Sequence, residues 1–266
     1  MNIRLRLPGI FRRTSTSILV LVLGLVVSAL AAALVARQVE REAQLRFEGQ
    51  VDDARLAIES RIDAYADVLG GVYALMNAAE PVSRGQFKRY VESLDVPRHY
   101  PGIAAISVSR RITAAQKPSF EARVRGDTSV DPGGYPGFAV KPPGERAEYV
   151  VLEYIEPTRG NEGALGLDIA GDPVRLAALE YARDTGRITA TGIIKLALDP
   201  QQRQGFAMRL AYYRKGASLA TVAQRREAFA GVVSVVFVAA DLMRGVLREP
   251  FLRNMHVRIH DAGLID

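Results

Sequence analysis

An uninterrupted apolar run from Ile18 to Ala36 is the first feature of the hydrophobic pattern. The run contains no charged residue and one weakly polar residue, Ser28. Roughly 20 apolar residues in a helix cross the hydrocarbon layer of a membrane. Residues 18–36 are therefore predicted to form a transmembrane helix.

The charges around this run predict its orientation. Four arginines precede it, and the first acidic residue of the chain is Glu40. Cytoplasmic flanks are enriched in lysine and arginine, so residues 1–17 are predicted to be cytoplasmic and residues 37–266 periplasmic or extracellular, anchored in the inner (cell) membrane. The alternative is a cleaved signal peptide, because Ala29 and Ala31 resemble a cleavage site. The length of the run and the helical pattern after it favour an uncleaved anchor.

A helical apolar period continues beyond the membrane run. From Arg37 to Ala79 the sequence contains no proline, and apolar residues recur about every 3.7 positions. We therefore predict a long stalk helix over residues 37–80. An apolar stripe of this length needs a partner, so we expect it to pack on the following domain, on a second copy of the chain in a homodimer, or on both. The stripe consists of Val39, Ala43, Phe47, Val51, Ala54, Ile58, Ile62, Tyr65, Leu69, Val72 and Met76.

Beyond the stalk, the pattern changes to short segments typical of an α+β domain. Ser83 is predicted to cap a helix, with Gln86 at the capping-box position. Strands are predicted over residues 103–108 and 149–155. The stretch 126–146 is rich in glycine and proline and is predicted to be a long loop, of the kind that often borders a binding site.

The second half of the chain has the same mixture. Asp172 is predicted to cap a helix that has Pro173 at its first position and stops at Thr185–Gly186. GIIKLAL, FAMRLAYY and GVVSVVFVA are predicted strands, TVAQRREAF is a helix with a capping box from Thr221 to Gln224, ADLMRGVL is a short helix, and HVRIH begins a strand. The fold class is therefore α+β with a mixed or antiparallel sheet. Because the chain stops in mid-pattern at DAGLID, we expect it to be a fragment of a longer protein.

Composition narrows the range of functions. The chain is 48% hydrophobic, carries a formal net charge of +6 and has no cysteine. Without cysteine, neither a disulfide nor a thiolate metal site can form. The N-terminal arginines supply four of the positive charges, and no basic run with interleaved aromatic residues follows, so nucleic-acid binding is not expected.

Catalytic motifs are missing from the sequence. It has no GxSxG, HExxH or phosphate-binding loop, and Glu153 and Glu156 have no evident acid–base partner. The DTG at 184–186 matches a motif of aspartic proteases but is better explained as a helix end. His256 and His260 would share one side of a strand, which leaves a metal pair open as an alternative. We predict no enzymatic activity for the residues present, and no cofactor.

One acid, Asp168, stands in the glycine-rich apolar segment GALGLDIAG without a helix role. A carboxylate that is desolvated among leucine and isoleucine needs hydrogen-bond donors. Donors on a ligand would make Asp168 a ligand anchor, whereas donors from the local backbone would make it a turn residue. Asn161 and Gly166 are interpreted as turn formers, and Arg175 as a solvated or salt-bridged residue rather than a ligand contact.

The segment from Tyr149 to Leu196 resembles the central signature of CHASE domains. These are the extracellular sensory modules of bacterial histidine kinases and diguanylate cyclases and of plant cytokinin receptors. The resemblance covers residues 45–266 and extends to YPGIAAISVSRRI and to the last strands, with Arg226 and Asp241–Leu242. The central pattern is Glu156–Pro157, Asn161, Leu165–Gly166, Asp168, Pro173, Arg175, Ala177–Leu179, Ala182, Thr185–Gly186 and Thr191.

The resemblance implies a fold and a ligand site. The fold is a long helix through which the chain dimerises, then tandem PAS-like modules: a membrane-distal one over residues 81–214 and the start of a membrane-proximal one over residues 215–266. The distal module binds the ligand. Asp168 matches the acid that binds the adenine nitrogens in the plant receptors, and Ala190 and Thr191 fall at pocket-lining positions. Ala190 replaces a bulkier aliphatic residue, so we expect a wider pocket for an adenine-like or other small ligand.

Together these features predict the sensory region of a bacterial transmembrane receptor. It would bind a small molecule and signal to a cytoplasmic diguanylate cyclase or histidine kinase that is absent from this chain. The alternative is a ligand-independent, membrane-anchored module for dimerisation or protein interaction. An exported hydrolase is a third class, which the missing motifs argue against.

Overall fold

The computed structural model describes residues 10–78, 81–196 and 203–246, and it confirms the α+β class, with a long N-terminal helix before an antiparallel sheet. The helices are α1 (Ile10–Ala78), α2 (Arg84–Ser93), α3 (Val96–His99), α4 (Lys117–Arg125), α5 (Pro173–Thr185), α6 (Val222–Ala228) and α7 (Ala239–Val246). The strands are β1 (Ile103–Thr113), β2 (Glu148–Glu156), β3 (Thr189–Ala190), β4 (Ile194–Lys195), β5 (Gln204–Tyr213) and β6 (Phe229–Val238).

The chain divides into two compact units, Met1–Leu56 and Ala57–Asp266. In the first unit, the apolar side chains of α1, such as Leu21 and Leu25, are exposed. Within the part of the chain that the structure describes, α1 is the one helix that is long and apolar enough to cross a membrane. The predicted membrane segment and residues 37–78 of the predicted stalk both fall on this helix, and residues 79–80 lie outside the described residues.

In the second unit, the strands form one antiparallel sheet in the order β2-β1-β6-β5-β3, with β4 also paired to β5. Ser107 on β1 lies opposite Ser234 on β6, which in turn lies opposite Arg209 on β5. Opposed residues of antiparallel strands point to the same face of a sheet. The register therefore brings these three polar side chains to one face, in a row across the three central strands.

One face of the sheet packs against the last part of α1 and against α2. Tyr65, Leu69 and Val72 of α1 form a buried cluster with Ile106 and Val108 of β1. Their spacing of three to four residues keeps them on one side of the helix. The expected packing of the stalk on the following domain is confirmed for this part of the stripe.

The opposite face is covered by α5 and by the segment that precedes it. Ile169 and Leu179 form a second buried cluster there with Val232 of β6. At the β2 edge, Phe120 of α4 and Phe138 of the long loop belong to a third cluster. The sheet is thus enclosed on both faces, and the second face also carries the polar row.

Most predicted elements are confirmed, and the first two strands are longer than expected. Both capping boxes form, at Ser83–Gln86 and at Thr221–Gln224, and residues 126–146 contain neither helix nor strand. Three short elements, α3, α4 and β3, are not among those predicted from the sequence. The strand predicted over GIIKLAL is reduced to Ile194–Lys195, and residues 197–198 of that segment lie outside the described residues.

The predicted module boundary at residue 215 needs a correction. β6 follows that boundary in sequence, yet it pairs with β1 on one side and with β5 on the other. A strand with hydrogen-bonded neighbours on both sides cannot be separated from its sheet, so the boundary does not divide this domain. Residues 247–266, with HVRIH and the histidines 256 and 260, lie outside the described residues. The tandem PAS-like arrangement stays a prediction.

Candidate functional site

Small side chains along the central strands leave a cavity on the α5 face of the sheet. Ala105 and Ser107 of β1, Ser234 of β6 and Ala207 of β5 form its floor. Each of these residues faces the space where a larger side chain would otherwise fill the layer between sheet and helix. The result is a cavity of about 360 Å³.

The walls of the cavity come from segments on either side of the sheet. β2 and the segment after it contribute Leu152, Ile155 and Leu167, whereas Arg175 comes from the first turn of α5 and Ile194 from β4. The walls therefore combine apolar side chains with polar and charged ones. Concave sites of roughly 300–1,000 Å³, lined by apolar groups and a few fixed polar ones, are typical of small-molecule binding.

Positive charge dominates the titratable groups of this cavity. Among the described residues that line it are four arginines, Arg159, Arg175, Arg203 and Arg209, and one acid, Asp241. Two of the arginines have carboxylate partners. Arg203 Nη1 lies 3.6 Å from Asp241 Oδ2, and Arg175 Nη1 lies 3.4 Å from Asp172 Oδ2.

Arg209 is the buried cation of the cavity, with 3% of its surface exposed. Its Nη1 donates to the main-chain oxygen of Arg175 at 2.8 Å, whereas its Nε has no acceptor among the described residues. Burial, reinforced by the neighbouring Arg175 cation and opposed by the Asp172 carboxylate, lowers the pKa of Arg209 to about 9. Arginine remains charged at neutral pH. The cavity therefore contains a desolvated positive charge.

Asp168 lies outside the wall of this cavity, 4% exposed. Its Oδ1 accepts from the main-chain N–H groups of Val150 at 2.9 Å and Ala170 at 3.1 Å, and its Oδ2 lies 3.3 Å from Arg146 Nη1. The local protein thus supplies the donors that a buried carboxylate needs. Of the two roles left open by the sequence, these contacts fit the turn residue, and a ligand contact of Asp168 stays a prediction.

The other two predicted ligand residues also lie outside the cavity wall. Ala190 is exposed and pairs with Met208 in the β3–β5 ladder. Thr191 is buried, and its Oγ1 accepts a hydrogen bond from the Ala207 main-chain N–H at 3.0 Å. Thr191 therefore fastens the end of β3 to the strand that carries part of the cavity floor.

The remaining acids of the segment have the predicted helix roles. Asp172 caps α5 by accepting from the Arg175 main-chain N–H at 2.9 Å, and Gly186 ends the helix in the left-handed region at a φ of 69°. Asp184 is engaged by two arginines, with Arg226 Nε donating at 2.9 Å and Arg183 Nε at 2.8 Å. The DTG segment is confirmed as a helix end.

The predicted turn formers are also confirmed. Asn161 Nδ2 donates to the Pro157 main-chain oxygen at 2.9 Å. Gly166 has a φ of +84°, and a Cβ there would collide with the Ala139 carbonyl oxygen. Arg175 combines its predicted salt bridge with a place on the cavity wall, which its position on a helix did not indicate.

Metal and acid–base sites do not assemble in the part of the chain that the structure describes. No group of three potential metal ligands occurs there. Glu153, which is fully buried, is neutralised by Arg110 Nε at 2.5 Å and by Arg123 Nη1 at 2.8 Å. It is part of an ion cluster rather than a pair of carboxylates.

The long loop borders a second hollow instead of the main cavity. This hollow is about 610 Å³, more open, and lined by residues such as Tyr135 and Lys141. The loop therefore lines this more open hollow, and its place beside a binding site stays a prediction. The cavity above the sheet is the better candidate because it holds a buried charge.

Sequence reasoning missed Arg209 and the two serines. The signal in the sequence is Arg209 itself, a charged residue inside the apolar strand FAMRLAYY. Ala207 and Ala211, two positions before and after it, are both small and buried. Alternate residues of a strand share a face. An arginine in that pattern points into the protein and needs a partner there.

Comparison with known proteins provides a family match. The family model described as the CHASE domain matches residues 80–264. The match covers most of the chain and includes every strand of the sheet. No curated protein matches the chain.

Proposed function

Since the chain belongs to the CHASE-domain family, the extracellular sensory domains of signalling receptors, we propose that it is the sensory region of a bacterial transmembrane receptor. A small molecule binds in the cavity above the central strands. Its binding is passed to a cytoplasmic output enzyme, either a diguanylate cyclase or a histidine kinase. The observation that carries this proposal is a partly open cavity that combines a buried charge with apolar side chains.

The sheet provides a short route from the cavity to α1. Consecutive residues along β1 and β6 point to opposite faces of the sheet. Ser107 and Ser234 face the cavity, whereas their neighbours Val108 and Val235 belong to the cluster that contains Leu69 of α1. A ligand that shifts these two strands would also change the packing of α1, which supports α1 as the element that transmits the signal.

We place this receptor in the inner membrane, with residues 1–17 in the cytoplasm and residues 37–266 in the periplasm or outside the cell. The apolar segment of α1 and the four arginines before it support this orientation. Residues 37–80 also carry the proposed homodimer contact. Exposed apolar side chains at Val39, Phe47 and Val51 are the observation in its favour.

A ligand screen on the full chain in detergent micelles tests the proposed function. We expect at least one small molecule to raise the melting temperature of the wild type, because ligand that binds the folded state alone stabilises it. Ala207→Met fills the cavity from its floor and is expected to abolish this response. Val174→Met is the matched control, since Val174 lies on the same side of the sheet but is 44% exposed.

The alternative function is a ligand-independent module that anchors and dimerises. The same exposed apolar residues of α1 favour it, because they need a partner whether or not a ligand binds. A broad library without a single hit, on a chain that forms stable dimers, would support this alternative and contradict the sensory proposal. A ligand that still raises the melting temperature of Ala207→Met would place the binding site elsewhere.

A further inference from the structure

Arg209 lacks the partner that a buried cation normally has. It is 3% exposed, and its single hydrogen bond to protein joins Nη1 to the Arg175 main-chain oxygen. Among the described residues, no carboxylate forms an ion pair with it and no acceptor reaches Nε. Buried charges are costly to keep unless they are paired. Arg209 therefore marks a place where the described residues leave a buried cation without an anionic partner.

The register of the sheet surrounds Arg209 with hydroxyl groups. Thr189, Arg209, Ser234 and Ser107 are directly opposed on four adjacent strands. Ser234 and Ser107 also line the cavity floor. A serine hydroxyl can donate to an anion, so the guanidinium and the two hydroxyls present donors along one row.

Other charges near Arg209 leave the site positive. Arg175 also lines the cavity, while Asp172 already accepts the Arg175 main-chain N–H and pairs with the Arg175 side chain. Asp241 on the far wall lies beside Arg203. Both described acids, Asp172 and Asp241, therefore lie beside other arginines, and neither forms an ion pair with Arg209.

We propose that the cavity binds a small organic carboxylate, whose carboxylate group accepts from the Arg209 guanidinium and from the Ser234 and Ser107 hydroxyls. The apolar body of the ligand packs against Leu152 and Val236, which line the same cavity. This assignment rests on the proposed function and specifies its ligand class. A carboxylate fits because charge-assisted bonds to a guanidinium are short, directional and stronger than neutral ones. An adenine-like neutral base offers no charge to balance Arg209.

Matched pairs of acids and amides test the proposal on the full chain in micelles. The probes are sodium acetate, butyrate and hexanoate, each compared with its primary amide and with sodium chloride at equal ionic strength. We expect the carboxylates to raise the melting temperature and the amides, which have the same shape without the charge, to have no effect. At a concentration tenfold above Kd, the folding equilibrium constant rises about elevenfold.

Two variants separate an anchor from a structural residue. Arg209→Met removes the charge with similar volume and is expected to melt at or above the wild-type temperature without ligand, yet to lose the response to carboxylates. Ser234→Ala provides a second test that leaves the charge in place, and it is expected to weaken the response severalfold. A low melting temperature of Arg209→Met without ligand would identify Arg209 as structural and overturn the proposal.

The remaining outcomes distinguish this proposal from the proposed function. Equal responses to the acids and amides would overturn the carboxylate assignment, and so would a carboxylate response that Arg209→Met retains. Hits from the broad library that are all neutral and lost in Ala207→Met would contradict the carboxylate while leaving a small-molecule sensor intact. The sensor itself fails when the broad library yields no ligand at all.

Discussion

The Asp168 carboxylate accepts a hydrogen bond from the Val150 main-chain N–H at 2.9 Å, which ties the turn before α5 to the edge strand β2. The main chain strengthens this connection, because the Asp168 N–H donates to the Lys141 oxygen at 2.8 Å. One side chain thus joins β2, the long loop and the start of the segment that covers the cavity.

Asp168→Ala is expected to lower the free energy of unfolding by about 1–3 kcal/mol, because two buried main-chain N–H groups lose their acceptor. Asp168→Asn keeps an oxygen at the same place and is expected to cost less. Arg146 adds little to the difference, since its side chain is 41% exposed. Thermal unfolding followed by circular dichroism measures both variants. Wild-type stability of Asp168→Ala, together with loss of a ligand response, would instead establish Asp168 as the ligand anchor.

Gly166→Ala should destabilise the same junction. Gly166 has a φ of +84°, and its N–H donates to the Leu152 oxygen while its own oxygen accepts from Lys141. The left-handed conformation costs an alanine roughly 1–2 kcal/mol, and the collision with the Ala139 oxygen adds to this. Gly137→Ala, in the long loop with open space around the added Cβ, is the control and is expected to melt like the wild type. Equal melting temperatures of the two variants would refute the steric argument.

The sequence predicts those parts of the fold that local chemistry determines. Caps at Ser83 and Thr221, the stop at Gly186 and the long α1 follow from patterns within a few residues, and the structure confirms them. The position of β6 between β1 and β5 depends on long-range pairing, which no local pattern reveals. The module boundary at residue 215 failed for this reason.

The candidate site also combines local features that the sequence predicts with long-range contacts that it does not. Asp168 is noticeable in the sequence as an acid among apolar neighbours, and one of its donors, the Ala170 N–H, is local. The other two, from Val150 and Arg146, lie 18 and 22 residues away in sequence and could not be predicted from the local pattern. Arg209, Ser234 and Ser107 meet only through strand register. The alternation along β5 marks Arg209 as an inward residue, but its alignment with the two serines becomes visible only once the strands are paired.

The Asp184 ion cluster predicts a loss of stability in acid. Hydrogen bonds from Arg226 and Arg183 hold the pKa of Asp184 well below its usual range. Because the folded state favours the ionised form, its stabilisation is complete above the ordinary aspartate pKa of about 3.9 and disappears as the pH falls below that value. Asp184→Asn should therefore lose stability less steeply than the wild type between pH 5 and pH 3. Asp52→Asn, exposed on α1, should follow the wild type, and parallel profiles for all three would refute the role of the cluster.

The absence of cysteine makes the proposed orientation directly measurable. Thr128→Cys places a thiol on the exposed long loop, where a membrane-impermeant maleimide should label it in intact cells. Asn2→Cys should react only after the inner membrane is permeabilised. Labelling of both in spheroplasts with intact membranes would contradict the anchor, and the reverse pattern would invert the predicted topology.

Phe47 provides the sharpest test of the proposed dimer. Its side chain is 58% exposed on α1, in the part of the apolar stripe where Val39 and Val51 are exposed as well. If a second copy covers these residues, Phe47→Glu places a charge in an apolar contact and removes an aromatic side chain worth about 1.5–3 kcal/mol when buried. We expect the dissociation constant of the dimer, measured by analytical ultracentrifugation in detergent, to rise at least about tenfold. Gln38→Glu is the control, because the nine residues between the two positions make about two and a half turns of the helix and put the same charge on the opposite side. A dimer that tolerates Phe47→Glu but not Gln38→Glu would move the contact to the other face of α1, and a dimer unaffected by either would exclude this stretch of the stalk as its interface.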